Sequence, residues 1–266
     1  ARKRKWQSQI SSAGYLRMRW LHDNIITRTG TIISVSSESI YQPLVNLQDP
    51  RLTRVFRTNA VSNQWIVISG GYFKASYVSI LNHNITSSAI IKVQGNNSNT
   101  WEMPEFSLEI PWDEYHLILN FTEKTFAFWR IHISDPENIS DYIEIANVYL
   151  GTYYQMPGMK PEQTIENETT SSVSFTQSGQ CDGYDGFEFR NPSINHPRLT
   201  NAQRLDIIRI FQTIKNNHPI IFLIWSNQLD FERPIYGVID GKLLSFKKSD
   251  NPNAPWSLTY KIREVY

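Results

Sequence analysis

The side chains best suited by type to do chemistry here are carboxylates, and they come in pairs: Asp113 with Glu114, Glu102 with Glu105, and Asp182 with Asp185 and Glu188. Two carboxyls held about 5.5 Å apart across a glycosidic bond would make a retaining hydrolase. Adjacency in a loop does not supply that separation, and solvated loop acids explain the same spacing. The run Asp182-Gly183-Tyr184-Asp185-Gly186-Phe187-Glu188 has the acidic-glycine texture of a calcium loop, because a hard cation takes several oxygens from a tightly turned backbone. It lacks the full spacing of a helix-loop-helix calcium site. Asp182, Asp185 and Glu188 are therefore the metal candidates, with calcium the one ion they would suit, set against a Gly-rich turn that enters a strand over 187–190. No other cofactor is indicated.

The six histidines, His22, His83, His116, His132, His196 and His218, have no His or Cys partner at metal-ligand spacing. The single cysteine, Cys181, excludes an internal disulfide and has no neighbouring base, so it reads as an ordinary thiol. Nucleophile-elbow, phosphate-loop and Ser-x-x-Lys arrangements are absent. A catalytic function is not expected, and no catalytic residue is assigned.

Binding chemistry has more to stand on. Eight Trp, 13 Tyr and 13 Phe make up 13% of the chain, and flat rings stack on sugars or fill protein interfaces equally well. In a β-sandwich the ligand end is made by loops between strands, here 41–49, 54–64 and 95–101. Tyr41, Arg57 and Trp101 are the candidate ligand-binding residues, offering aromatic platforms and a hydrogen-bonding fork. The competing readings are that Trp101 plugs the sandwich end and that Arg57 pairs with an acid such as Asp49. His83, between two asparagines, reads as a turn-stabilising side chain.

These side chains need a scaffold, and its pattern is β. Period-two and short apolar runs occupy 31–35, 65–68, 77–81, 89–93, 116–120, 125–133 and 142–150, separated by Gly, Asn, Asp and Pro turns. Residues 125–133 are apolar on both parities, which calls for a bulge or for cover on both faces. A 266-residue chain suits two domains. The expected fold is mainly β, an antiparallel jelly-roll sandwich followed by a smaller α+β domain, a sheet or barrel with one helix. The boundaries read as an N-terminal extension over 1–29, the sandwich over 30–155, a linker over 156–178 rich in Pro, Gly, Glu and Thr, and the α+β domain over 179–266. Its helix spans 201–216, opened by a Thr200/Gln203 capping box, with Ala202, Leu205, Ile208 and Phe211 on the apolar face and Ile207, Ile210 and Ile214 flanking it.

The net charge of +1, from 26 basic and 25 acidic residues, gives no reason to expect nucleic acid as a partner. No apolar run is long enough to span a membrane and no leader is visible, so synthesis in a cytoplasm is expected. The basic start, Arg2 to Lys5, reads as a mobile tail that orders on a neighbouring subunit.

Two stretches carry a resemblance. Asn82-His83-Asn84-Ile85-Thr86 after a strand, and Phe128 to Ile133 followed by Ile143 to Gly151, resemble the discoidin-like (coagulation factor 5/8 C-type) module, in the version found in structural proteins of tailed bacteriophages. The resemblance covers residues 30–152, and the remainder is similar to the second half of such tail or baseplate proteins. It implies a virion component made in the host cytoplasm, assembling with other tail proteins and with copies of itself, and in contact with host glycan. It also leaves two alternatives: a carbohydrate-binding module for host surface polysaccharide, and an accessory glycan hydrolase or esterase. The module's usual Asp-Gly opening is here Leu47-Gln48-Asp49-Pro50.

Overall fold

The computed structural model describes residues 16–159, 164–175, 177–178, 181–214, 218–225, 234–248, 250 and 252–265. It divides into two compact units, Leu21–Tyr153 and the described part of Ala1–Trp20 with Tyr154–Val265. The basic start lies outside the described residues. Strand β1 (Leu16–Leu21) belongs to the sheet of the second unit and is taken up there.

The first unit is a two-sheet antiparallel jelly-roll sandwich. Its strands are β2 (Ile32–Val35), β3 (Phe56–Arg57), β4 (Gln64–Ser69), β5 (Phe73–His83), β6 (Ile90–Asn96), β7 (Phe106–Glu109), β8 (His116–Phe126), β9 (Phe128–Ser134) and β10 (Glu144–Gly151). One sheet has the order β2-β4-β9-β6-β7 and the other β3-β10-β5-β8. Alternate side chains point inward, so Ile66, Ile68, Ile91, Val93, Trp129, Ile131 and Ile133 from one sheet meet Val78, Ile80, Leu117, Val148 and Leu150 from the other in a single core. Each large apolar side chain buried there contributes roughly 2 kcal/mol.

The double-parity stretch at 125–133 proves to be a corner. Phe126 ends β8 in one sheet and Phe128 begins β9 in the other, with Ala127 the bend between them, so the inward parity switches where the chain changes sheets. Gly95 makes the corner fit: a Cβ there would overlap the Phe126 ring. The expected extension at 1–29 is structured where it is described. Asn24 donates to Val148 O at 3.0 Å and accepts from Leu150 N, tying the turn at Ile25–Thr27 to β10, and Ile25 and Ile26 are buried in the core.

The second unit is a seven-stranded sheet with the order β11-β1-β16-β17-β18-β15-β12. The later strands are β11 (Tyr154–Met159), β12 (Thr164–Thr169), β13 (Ser172–Phe175), β14 (Cys181–Tyr184), β15 (Glu188–Leu199), β16 (Ile220–Trp225), β17 (Ile235–Lys248) and β18 (Trp256–Glu264). The segment read as a linker is thus largely strand: β11 pairs with β1 and β12 with β15. Residues 166–169 of β12 and 172–175 of β13 face solvent and need no apolar alternation, whereas β11 buries Met156 and Met159 on either side of a Pro-Gly pair that reads as a turn.

Helix α1 (Asn201–Ile214) opens on the expected capping box, with Thr200 N donating to Gln203 Oε1 and Gln203 N to Thr200 Oγ1. The face is corrected. Ile207, Ile210 and Ile214 are buried, whereas Leu205 is 48% exposed, because the inward stripe follows i, i+3, i+7 from Ile207. Below it, a polar chain crosses the core: Trp20 Nε1 donates to Tyr260 Oη at 3.1 Å, Tyr260 Oη lies 3.3 Å from His196 Nε2, and His196 Nδ1 lies 3.0 Å from Pro157 O. The Pro157 carbonyl can only accept, so Nδ1 carries the proton and Nε2 accepts from Tyr260. Burial pushes His196 down to about 4 and keeps this tautomer neutral.

Candidate functional site

The sandwich separates the three candidate ligand residues into two groups. The strand ends near His83, Ser134 and Glu144 share one end of the sandwich, since Ile145 pairs with His83 and Ile90 with Ser134. Buried Asp135 staples this end, accepting from Thr86 N at 2.8 Å, Thr86 Oγ1 at 2.5 Å and Asn138 Nδ2 at 3.0 Å. His83 Nδ1 accepts from Ile85 N at 3.2 Å, the turn-stabilising role its sequence suggests.

Arg57 and Tyr41 lie at this end. Arg57 N donates to Gln42 O and Ser39 N to Arg57 O, which seats the 39–42 turn beside β3 and leaves Tyr41 80% exposed. The Arg57 guanidinium lies 4.0 Å from the Tyr142 ring centroid and donates to Glu144 Oε2 from Nε at 3.1 Å and Nη2 at 2.6 Å. An acid does pair with Arg57, but it is its cross-strand partner Glu144. Asp49 instead takes Arg51 and Arg54, and Arg51 holds its carboxyl down at about 2. An open groove of about 370 Å³, lined by Thr31, Ile33, Glu38, Pro43, Leu44, Val45 and Gln48, contains none of the three candidates.

Trp101 belongs to the opposite end. Asn96 Nδ2 donates to Thr100 O at 2.7 Å and Asn97 Nδ2 to Glu105, so the 96–105 loop is held by its own amides. That loop returns Trp101 over the outer face of the five-stranded sheet, where its Nε1 donates to Asn99 Oδ1 at 2.8 Å and its ring centroid lies 4.5 Å from the Arg130 guanidinium carbon.

The outer face at Arg130 is defined by strand register. On β9, Trp129, Ile131 and Ile133 point inward, which turns Phe128, Arg130, His132 and Ser134 outward. Arg130 stands between Gln94 and Val67 in one cross-strand row, and His132 between Lys92 and Trp65 in the next. Arg130 Nε donates to Gln94 Oε1 at 2.7 Å, and among the described residues no carboxylate comes within ion-pair distance of Arg130 or Lys92. Glu109, the cross-strand neighbour of Lys92, is exposed at the sheet edge and forms no such pair. Burial, then Arg130, then Lys92 lower the His132 pKa from its ordinary value, so the cations are felt there with no offsetting acid. This is a half-buried cationic row flanked by two indoles and held by an amide.

Sequence reasoning placed Trp101 on its loop but missed Lys92, Gln94, Arg130 and His132. The polar parity of β9, two bases alternating with three core side chains, carried part of that signal. The cross-strand neighbours depend on register, which a single strand does not reveal.

The other candidates do not converge. Cys181, Asp185 and Glu188 are exposed, and among the described residues no group of three His, Cys, Asp or Glu side chains is placed to hold a metal ion. Asp113 accepts from Tyr115 N and His116 N, and Glu105 from Asn97, which accounts for these acids as loop caps. No helix among the described residues is long and apolar enough to cross a membrane.

No family model matches the sequence, and no curated protein matches it. Solved structures similar to it include the lectin domain of lectinolysin complexed with Lewis B antigen, at 18% identity, covering 48% of this chain and 95% of that one with a TM-score of 0.39. Chitosan-binding module 1 from a chitosanase/glucanase of Paenibacillus sp. IK-5 is 16% identical, covering 49% of this chain and 100% of that one, with a TM-score of 0.40. The family 32 carbohydrate-binding module of NanJ from C. perfringens, in complex with galactose, is 14% identical, covering 52% and 99%, with a TM-score of 0.39.

Proposed function

We propose that the unit Leu21–Tyr153 is a glycan-recognition module that reads an acidic saccharide on the outer face of its five-stranded sheet. The observation that carries this reading is Arg130: a half-buried guanidinium, stacked on Trp101, held at Nε by an amide and given no counter-ion among the described residues. A planar guanidinium presents paired N–H donors that fit a carboxylate or sulfate side by side. The two indoles offer the apolar surface that sugar ring faces pack against. Because Trp101 and Gln94 already hold Arg130, little conformational freedom remains to be lost on binding. Among the described residues of this face, His132 is an acid–base group with no carboxylate or thiol paired to it, so the row offers donors and charge rather than an acid–base couple.

The role of a tail component rests on the sequence resemblance alone, and glycan recognition takes its place as the conclusion. A glycan array bearing neutral, uronate-containing, sialylated and sulfated oligosaccharides tests it, followed by calorimetric titration of the best acidic ligand. Wild-type protein is expected to bind acidic sugars, with Trp101→Ala and Arg130→Gln each weakening binding by at least ~10-fold while Arg57→Gln leaves it within ~2-fold. Binding that survives both outer-face variants and is lost with Arg57→Gln would move the site to the Tyr41 end.

A further inference from the structure

The seven-stranded sheet does not end at its outer strand. Strands β12 and β15 pair from Thr164↔Ser193 to Thr169↔Glu188, and beyond them pairing resumes between β13 and β14, from Ser172↔Tyr184 to Phe175↔Cys181. The join is stitched by Thr170 N to Phe187 O at 2.9 Å, Phe187 N to Thr170 Oγ1 at 2.8 Å and Gly186 N to Ser171 Oγ at 2.9 Å. A Cβ on Gly186 would overlap the backbone of Thr170 and Ser171. The glycine of the acidic run thus serves close backbone approach within a ribbon.

Among the described residues, the far half of this ribbon has no other strand neighbour. Along it Val173 is 62%, Phe175 73%, Tyr184 64% and Phe187 71% exposed. A lone two-stranded ribbon is marginal in water, and natural edges guard themselves with Lys or Pro. This one instead shows apolar side chains, the mark of a surface that meets a partner.

Charge selects the partner. Between 164 and 188 the chain has five carboxylates, Glu166, Glu168, Asp182, Asp185 and Glu188, and no Lys or Arg, so the rest of the chain holds 26 basic against 20 acidic residues and is net +6. We propose that the ribbon is an assembly arm that seats on a second copy of this chain, on a surface outside that copy's own ribbon. Arm against arm would set carboxylates against carboxylates with no basic side chain between 164 and 188 to offset them, a like-charge juxtaposition that disfavours a two-fold contact. A contact between two different patches repeats from copy to copy and builds rings or filaments. One arm carboxylate, Glu166, is already paired with Lys261 at 3.0 Å, which leaves the distal acids to meet the neighbour.

Light scattering coupled to gel filtration tests the arm. In about 50 mM salt, wild-type protein is expected to form species larger than a dimer, which dissociate in about 500 mM salt. The double variant Phe175→Ser with Tyr184→Ser is expected to be monomeric in both, with an unchanged far-ultraviolet spectrum and unchanged glycan affinity. Asp185→Lys is expected to weaken assembly several-fold at low salt while leaving the apolar surface intact. Cross-links on assembled protein are expected between the arm and residues outside it. Four results would overturn the proposal: a wild-type monomer at on the order of 100 µM in low salt, unchanged assembly of the double variant, arm-to-arm cross-links, or a monomer whose arm instead carries it onto phosphatidylcholine vesicles.

Discussion

Arg57 and Arg130 sit in the same sandwich, each stacked on a ring, the first 4.0 Å from Tyr142 and the second 4.5 Å from Trp101. They differ in what neutralises them. Arg57 has Glu144 across the strand pair; Arg130 has Gln94, which accepts a hydrogen bond and carries no charge. A stacked arginine with a carboxylate is complete and fastens two strands together. One without a carboxylate keeps donors and charge available, and burial makes that unmet charge more costly than it would be in open water. The counter-ion, more than the stack, separates a structural arginine from one suited to recognition.

The sharpest way to break this distinction is to give Arg130 what Arg57 has. Gln94→Glu places a carboxylate at the atom that already accepts Arg130 Nε, and it is expected to reduce acidic-oligosaccharide affinity by at least ~30-fold, about 2 kcal/mol. Its thermal midpoint should stay level or rise. A Gln94→Glu protein that binds as well as wild type would remove the counter-ion argument.

The converse change is smaller. Glu144→Gln leaves Arg57 beside an amide, and because both side chains of the pair are partly exposed the expected loss is about 1 kcal/mol of unfolding free energy, read from a urea midpoint. Glycan affinity should stay within ~2-fold. A large loss of affinity with little loss of stability would exchange the roles of the two arginines.

The smallest effect is pH dependence. The folded pKa of His132 is below its ordinary value, so the side chain is neutral near pH 7 and the unfolded chain takes up the proton first as pH falls. Its stabilising contribution is therefore present above about pH 6.5 and declines below it. Protonation also adds a cation to the Arg130 row, so affinity for an acidic sugar should rise as the pH is taken below about 6.5. His132→Asn should flatten that rise in calorimetric titrations. An identical rise in this variant would assign the titration to another group.

The sandwich strands were legible because each buries one face and writes an alternation of period two, as Ile66, Ile68, Trp129, Ile131 and Ile133 do. β12, β13 and β14 were not, since Ser172, Val173, Ser174 and Phe175 are all exposed and nothing forces a pattern on them. β1 was lost for a different reason: it does alternate, burying Met18 and Trp20, but it is short and the strand it pairs with begins only at Tyr154. The capping box at Thr200 could be read because it is local. The acid for Arg57 could not, because sequence proximity favours Asp49 whereas register supplies Glu144, 87 positions away. Trp101 was visible as a lone indole after an Asn-rich loop, but its cationic surroundings exist only once β6 and β9 are paired.

The central claim is that the Arg130 row, and not the Arg57 end, meets the ligand. Amide and indole shifts in a proton–nitrogen correlation spectrum, followed while the tightest acidic oligosaccharide from the array is added, test it most directly. The expected result is movement of the Trp101 indole N–H and of the Lys92, Arg130 and His132 amides, with Tyr41, Arg57 and Tyr142 unmoved. Shifts centred on Tyr41, Arg57 and Tyr142, or none on the outer face, would contradict it.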